Sequence, residues 1–208
     1  MTSGLVERCF GSLLLLASVA ADAADLDSLL QSLAREPPQT IAFVETRRSP
    51  LLTQDIVVSG DLEYRGIAKL SRVVTEPYRE RIDIDGSDVS IQREGRPERR
   101  FSLRRNAEIG NLLPAFSALL TGDRAALEAG FETSVEFLPE GWQLELVPRQ
   151  VGRQEQSEII RVRGEDDSPT CISVLNGGIA SVVIRLGSAA KNAGRVPATD
   201  CTGSRREE

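Results

Sequence analysis

From Thr40 onward the chain alternates apolar and polar residues with a period of two, the spacing of a half-buried strand. "TIAFVETRR" predicts one strand. "DIVVSGDLEYR" predicts the next, with Ile56, Val58, Leu62 and Tyr64 on one face and Asp55, Asp61, Glu63 and Arg65 on the other. "KLSRVVTE" is a third, stopped by Pro77. "ERIDIDGSDVSIQRE" predicts a hairpin, with Ile82 and Ile84 before the Asp85-Gly86 turn and Val89 and Ile91 after it. "RRFSLR" adds Phe101 and Leu103. The same rhythm returns late in the chain. "FETSVEFL", "WQLELVP" (Trp142, Leu144 and Leu146 on one face), "SEIIRVRG" and a hairpin around Asn176-Gly177-Gly178 predict about five more strands.

Two segments follow helical spacing instead. Leu26, Leu29, Leu30 and Leu33 fall at i, i+3, i+4 and i+7, behind Asp25 as a candidate cap and ahead of Pro37-Pro38 as a stop. "NAEIGNLLPAFSALLTGDRAALEAG" carries Leu112, Leu113, Phe116, Leu119 and Leu120, and Gly122-Asp123 divides it into a helical pair. After Gly187 the sequence predicts loop and a charged tail. The order is helix, about six strands, helical pair, about five strands. Short connections make the sheet antiparallel, and its length makes it curl. The expected fold is therefore α+β: a curled antiparallel sheet of about eleven strands forming an incomplete β-barrel, with a helical lid over its concave face. Each strand has one polar face, so the sheet is expected to be covered on one side only.

Composition narrows the function. The chain has 208 residues, a net charge of −6 and no histidine. An acidic surface disfavours nucleic acid, which needs cations to displace counterions. The lack of histidine removes the commonest general base and metal ligand, and with it the usual serine and cysteine nucleophile pairs. Lys69 and Lys191 are the only lysines, so a Ser–Lys dyad has little to draw on. "DIDGSD" lacks the ligand spacing of a calcium loop and reads as a turn. "RPERRFSLRR" offers a basic stretch that either docks an acidic partner or anionic lipid head groups or is a solvated strand face. No cofactor, metal site or catalytic residue is expected.

The N-terminus reads as an export signal, with a buried N-terminal helix or an uncleaved anchor as the alternative: Arg8, the apolar run "CFGSLLLLASVA", too short to span a bilayer, and the small-x-small step "ADA" at 21–23. This divides the chain into a signal peptide (1–23), a main domain (24–187) and a tail (188–208). Removal of the leader takes Cys9 with it and leaves Cys171 and Cys201. An even pair in an exported chain points to a disulfide, with two buried free thiols as the alternative.

"GDLEYRGIAKLSRVVTEPYRERIDIDG", followed by "VSI", resembles the LolA-like outer-membrane lipoprotein carriers, as does the later "GWQLELVPR". The shared pattern is a G-x-L strand, a polar turn, a leucine-led strand, a T-x-P stop and a strand ending in D-G, over roughly residues 25 to 187. Within that family it resembles the divergent members found beside aryl-polyene and fatty-acid-like biosynthesis genes. The resemblance implies a monomeric, non-enzymatic carrier in the periplasm of a Gram-negative bacterium. Such a carrier receives the acyl chains of lipoproteins, or of another lipid, from an inner-membrane release complex and passes them to an outer-membrane receptor. The family's lid-latching arginine falls on Gly66 here, which leaves Arg65 and Arg72 as nearby substitutes. The expected cavity residues are Leu30, Ile56, Val58, Leu62, Tyr64, Leu70, Ile82, Ile84, Phe116, Leu120, Trp142 and Leu144. The competing readings are an interaction protein whose helices fill the cavity and, against the missing histidine, an acyl-transferring enzyme.

Overall fold

A computed structural model describes residues 17–48, 51, 53–102, 117–149, 158–192 and 201, with the side chains of the first helix described from Asp25 onward. The first part of the apolar run behind Arg8, residues 9–16, together with Leu112, Leu113 and Phe116, lies outside the described residues.

The eleven strands among the described residues belong to one antiparallel sheet. The N-terminal set is β1 (Gln39–Arg47), β2 (Ile56–Gly66), β3 (Lys69–Glu76), β4 (Glu80–Asp85), β5 (Asp88–Arg93) and β6 (Arg99–Ser102). The C-terminal set is β7 (Phe131–Leu138), β8 (Gly141–Pro148), β9 (Ile159–Glu165), β10 (Ser168–Asn176) and β11 (Ile179–Leu186). The strand order β6-β5-β4-β3-β2-β1-β11-β10-β9-β8-β7 places two meanders side by side, joined where β1 pairs with β11. The sheet is not closed, and β6 and β7 are its two edges. Six strands precede the helical insert and five follow it, as the alternation predicts.

Three helices are bounded: α1 (Ala17–Leu33), α2 (Arg124–Gly130) and α3 (Gly187–Asn192). A further helical stretch occupies 117–121. α1 runs through Asp25, so that residue does not head the helix. α2 starts where expected, with the Asp123 carboxylate accepting from the Ala126 N–H at 3.0 Å. α3 replaces the loop expected after Gly187. Its Ala189-Ala190 pair favours helix, and Ala190 is buried.

The register puts one row of side chains on a common inner face. Ile41, Leu62, Arg72, Ile82 and Ile91 stand opposite one another across β1 to β5. Val135, Leu144, Val162, Ile172 and Ile184 do so across β7 to β11. Leu26, Leu29, Leu30 and Leu33 of α1 pack onto this face with Phe43, Val74, Phe131, Trp142, Leu144, Ile172 and Leu186, joined by Ala118, Leu119 and Leu127 from the insert. Val74 of β3 and Phe131 of β7 share this core although seven strand spacings, about 34 Å in a flat sheet, separate them. Strands of both meanders thus share one continuous core with α1. Trp142 lies across Gly164 on the next strand, where an added Cβ would come within 2.2 Å of the indole, and its N–H donates to Asp166 O at 3.0 Å.

The outer face departs from the one-sided expectation in its C-terminal half. Toward the N-terminal edge it is polar: Arg81 bridges Glu63 and Asp83, and Ser71 and Arg65 also donate to Asp83. Desolvation, the largest single influence on the Asp83 carboxyl, pushes it up. The hydrogen bonds from Arg81 and Ser71 and the nearby arginine charges outweigh that and hold it below the usual carboxylate range. Across β9 to β11, by contrast, Cys171, Leu175, Ala180 and Val183 form a second apolar cluster on the outer side, packed by Ile159 and Cys201. Cys171 and Cys201 are joined in a disulfide with a Cα–Cα distance of 5.6 Å. The cross-link pins the tail onto β10. It spans 30 residues, which in the chain-entropy model stabilises by about 3–4 kcal/mol. Cys201→Ser should therefore lower the urea midpoint by a corresponding amount. Thiol titration of the unreduced, denatured chain lacking residues 1–23 should find no free thiol; two would exclude the bond.

Candidate functional site

Where the C-terminal end of α1 and the 117–121 helix meet the sheet, the packing leaves a cavity of about 230 Å³. Its walls come from Leu33 of α1, Ile41 of β1, Leu62 and Tyr64 of β2, Leu119 and Leu120 of the insert, and Val162, Ile172 and Leu186 of the C-terminal strands. Pro169, Gln39, Thr40 and Arg35 complete the rim. An engineered apolar cavity of about 150 Å³ stays dry and takes up a benzene, so this one is large enough for hydrocarbon, though below the about 300–1,000 Å³ of a full ligand pocket.

Several contacts hold the walls together. Arg35 N donates to Leu120 O at 2.9 Å, tying the insert to the end of α1, and within the insert Asp123 N donates to Ala118 O at 2.9 Å. Arg124 pairs with Asp27 at 3.1 Å. The tip of the β2–β3 hairpin joins in, the Ala68 N–H donating to Ser117 Oγ at 3.2 Å.

Of the twelve residues expected to line the cavity, Phe116 lies outside the described residues and the other eleven separate into four groups. Leu62, Tyr64 and Leu120 line it. Val58, Trp142 and Leu144 are buried on the same inner face, and Leu30 of α1 is buried with them in the main core. Leu70, Ile82 and Ile84 sit on that face farther toward the β6 edge, in a separate cluster around Val89 with Ile91 and Phe101. Ile56, at the first position of β2, is 42% exposed. Leu33, Ile41, Leu119, Val162, Ile172 and Leu186 also line the cavity and are not among the residues expected there, although every one of them belongs to an apolar stripe or to a strand's apolar parity.

Charge also enters the inner face. Glu45, 2% exposed, accepts from Arg72 Nη2 at 2.7 Å and Nε at 3.2 Å, and from Arg47 Nε. Arg72 also reaches Glu80 at 3.6 Å and stacks over the Phe43 ring at 5.0 Å from its centroid. Of the two arginines near Gly66, Arg72 therefore faces inward, while Arg65 faces outward to Asp83 at 3.0 Å. Among the described residues every buried side-chain nitrogen and oxygen has a hydrogen-bond partner, and no helix is long and apolar enough to cross a membrane.

Fold and cavity together define an open antiparallel sheet curled around helices, with apolar space kept between them. The chain belongs to the family described as "Outer membrane lipoprotein carrier protein LolA-like", whose model matches residues 18–205. Among solved structures, it is similar to a LolA superfamily protein from Nitrosomonas europaea, at 14% identity over 78% of this chain and 90% of that one, with a TM-score of 0.39. It is also similar to MucB (14% identity, 80% of this chain and 57% of that one, TM-score 0.45). The MucA/MucB complex of Pseudomonas aeruginosa matches at 13% identity over 78% of this chain and 55% of that one, with a TM-score of 0.43. The chain thus spans little more than half of those MucB chains. No curated protein matches it in sequence.

Proposed function

We propose that the chain is a non-enzymatic periplasmic carrier that binds the acyl chains of a lipoprotein, or of a related amphiphile, and moves them from the inner toward the outer membrane. The observation that carries this reading is the apolar cavity between the α1 end, the insert and the sheet, on the face where Leu62, Tyr64 and Leu120 meet. Family membership and the absence of histidine support it. Burial of each methylene contributes about 0.8 kcal/mol, so a carrier needs no polar contacts to hold a chain. An inner-membrane release complex and an outer-membrane receptor are the partners this reading requires, and a single copy of the chain suffices for it. Residues 1–23 serve as the export leader, so that α1 of the mature protein begins near Ala24, and residues 188–208 form the cross-linked tail.

The second reading is an interaction protein whose cavity stays closed. It draws on the complete burial of Leu30 and Leu144 and on the modest cavity volume. One experiment separates the two. The chain is expressed in a Gram-negative host, purified from the periplasm without detergent, and its organic extract is analysed by mass spectrometry. The carrier reading expects an N-terminus near Ala24 and acyl species in stoichiometric amount. A folded protein free of acyl species would give the cavity to the second reading.

A further inference from the structure

Among the described residues, the cavity has one charged residue in its lining. Arg35 stands at the rim, just past the end of α1, 27% exposed in its side chain. The other lining side chains are apolar apart from Gln39, Thr40 and the Tyr64 hydroxyl. Resting on the carrier reading, we propose that this site selects amphiphiles with a single anionic head, the acyl chain lying along Leu62 and Leu120 and the head meeting the Arg35 guanidinium.

Arg35 is aimed by its own helix. It donates to Ser32 O at 2.7 Å and to Ala34 O at 3.0 Å, bonds that cap α1 and fix the guanidinium at its end. The remaining edge of the fork turns to the β9–β10 turn, donating to Asp167 O and lying 3.2 Å from Asp167 Oδ2. The Asp167 carboxylate is thus a protein group in the position a ligand carboxylate would take. It is 64% exposed, and an exposed ion pair of this kind is worth only about 0–1 kcal/mol. An incoming anion can replace it at little cost and gains a planar, bidentate partner. An uncharged head would leave the Arg35–Asp167 pair standing and gain nothing from it. Carboxylate and phosphate heads share this chemistry.

The test is calorimetric titration of the mature chain with decanoate, decanol and decyl phosphate. Decanoate is expected to bind about tenfold tighter than decanol, a preference that Arg35→Gln removes. Asp167→Asn leaves Arg35 and the helix cap intact while removing the competing carboxylate, and is expected to raise decanoate affinity severalfold without changing decanol. Comparison of decanoate with decyl phosphate tells which anionic head is preferred. Equal binding of decanoate and decanol in the parent chain, unchanged in Asp167→Asn, overturns the proposal and leaves the carrier reading intact. Binding of none of the three overturns both.

Discussion

Arg72→Ala should destabilise the fold severely without touching the cavity. Glu45 is 2% exposed, and its carboxylate takes two hydrogen bonds from Arg72, at 2.7 and 3.2 Å. Removing one partner of a buried pair leaves an uncompensated charge and costs about 3–5 kcal/mol. Arg47 also donates to Glu45, but its side chain is 56% exposed and its hold is weaker, so the loss should fall at the lower end of that range. The truncation also strips the guanidinium from the Phe43 ring, 5.0 Å away. The reverse change, Glu45→Gln, should cost less, because Arg72 keeps Glu80 and is 19% exposed. Replacing both charges by apolar residues, Glu45→Leu with Arg72→Met, should recover most of the loss, as buried pairs often yield to hydrophobic packing. Urea unfolding with the disulfide intact measures all four chains. If Arg72→Ala stays within about 1 kcal/mol of the parent at unchanged slope, the pair does not carry the stability assigned to it.

Much of the fold was legible because strand and helix leave different periods in the sequence. The hairpins at Gly86 and at Gly177-Gly178, the Leu26–Leu33 stripe and the Asp123 cap are all local signals, and the structure places the corresponding turns and helices there. The pairing of β1 with β11 is not local, since it joins residues about 140 apart in sequence, and no short window encodes it. The outer apolar cluster did leave a trace. "CISVLNGGIASVVIRLG" is apolar at both parities, with Cys171 and Leu175 as well as Ile172 and Val174, and continuous apolar runs mark strands buried on both faces. Glu45 left one too, since it shares the parity of Phe43, where alternation calls for an apolar residue. The cavity was only half legible. Parity identifies the inner face, but not where along that face the helices stand off from the sheet. Leu70, Ile82 and Ile84 have the correct parity and lie in another cluster.

Leu62→Trp should empty the carrier. A charge at this position, Leu62→Glu, is a poorer probe. Leu62 stands directly opposite Arg72 across β2 and β3. A carboxylate at 62 would find that guanidinium, draw it from Glu45 and confound loss of cargo with loss of stability. An indole carries no charge and occupies the space instead. Leu62 lines the cavity and is only partly buried, so the larger side chain has room to grow into the volume that an acyl chain would take. Excluding half a dozen methylenes forfeits about 5 kcal/mol of binding, more than a thousandfold. Stability should move far less, because filling a cavity and overpacking its walls act in opposite directions, each by about 1–2 kcal/mol. Asp61→Glu, on the outer face beside it, should change neither loading nor stability. Mass spectrometry of lipid from the periplasmic protein, with urea unfolding in parallel, reads both quantities. A folded Leu62→Trp chain that carries as much acyl lipid as the parent would move the binding site away from the cavity between α1, the insert and the sheet.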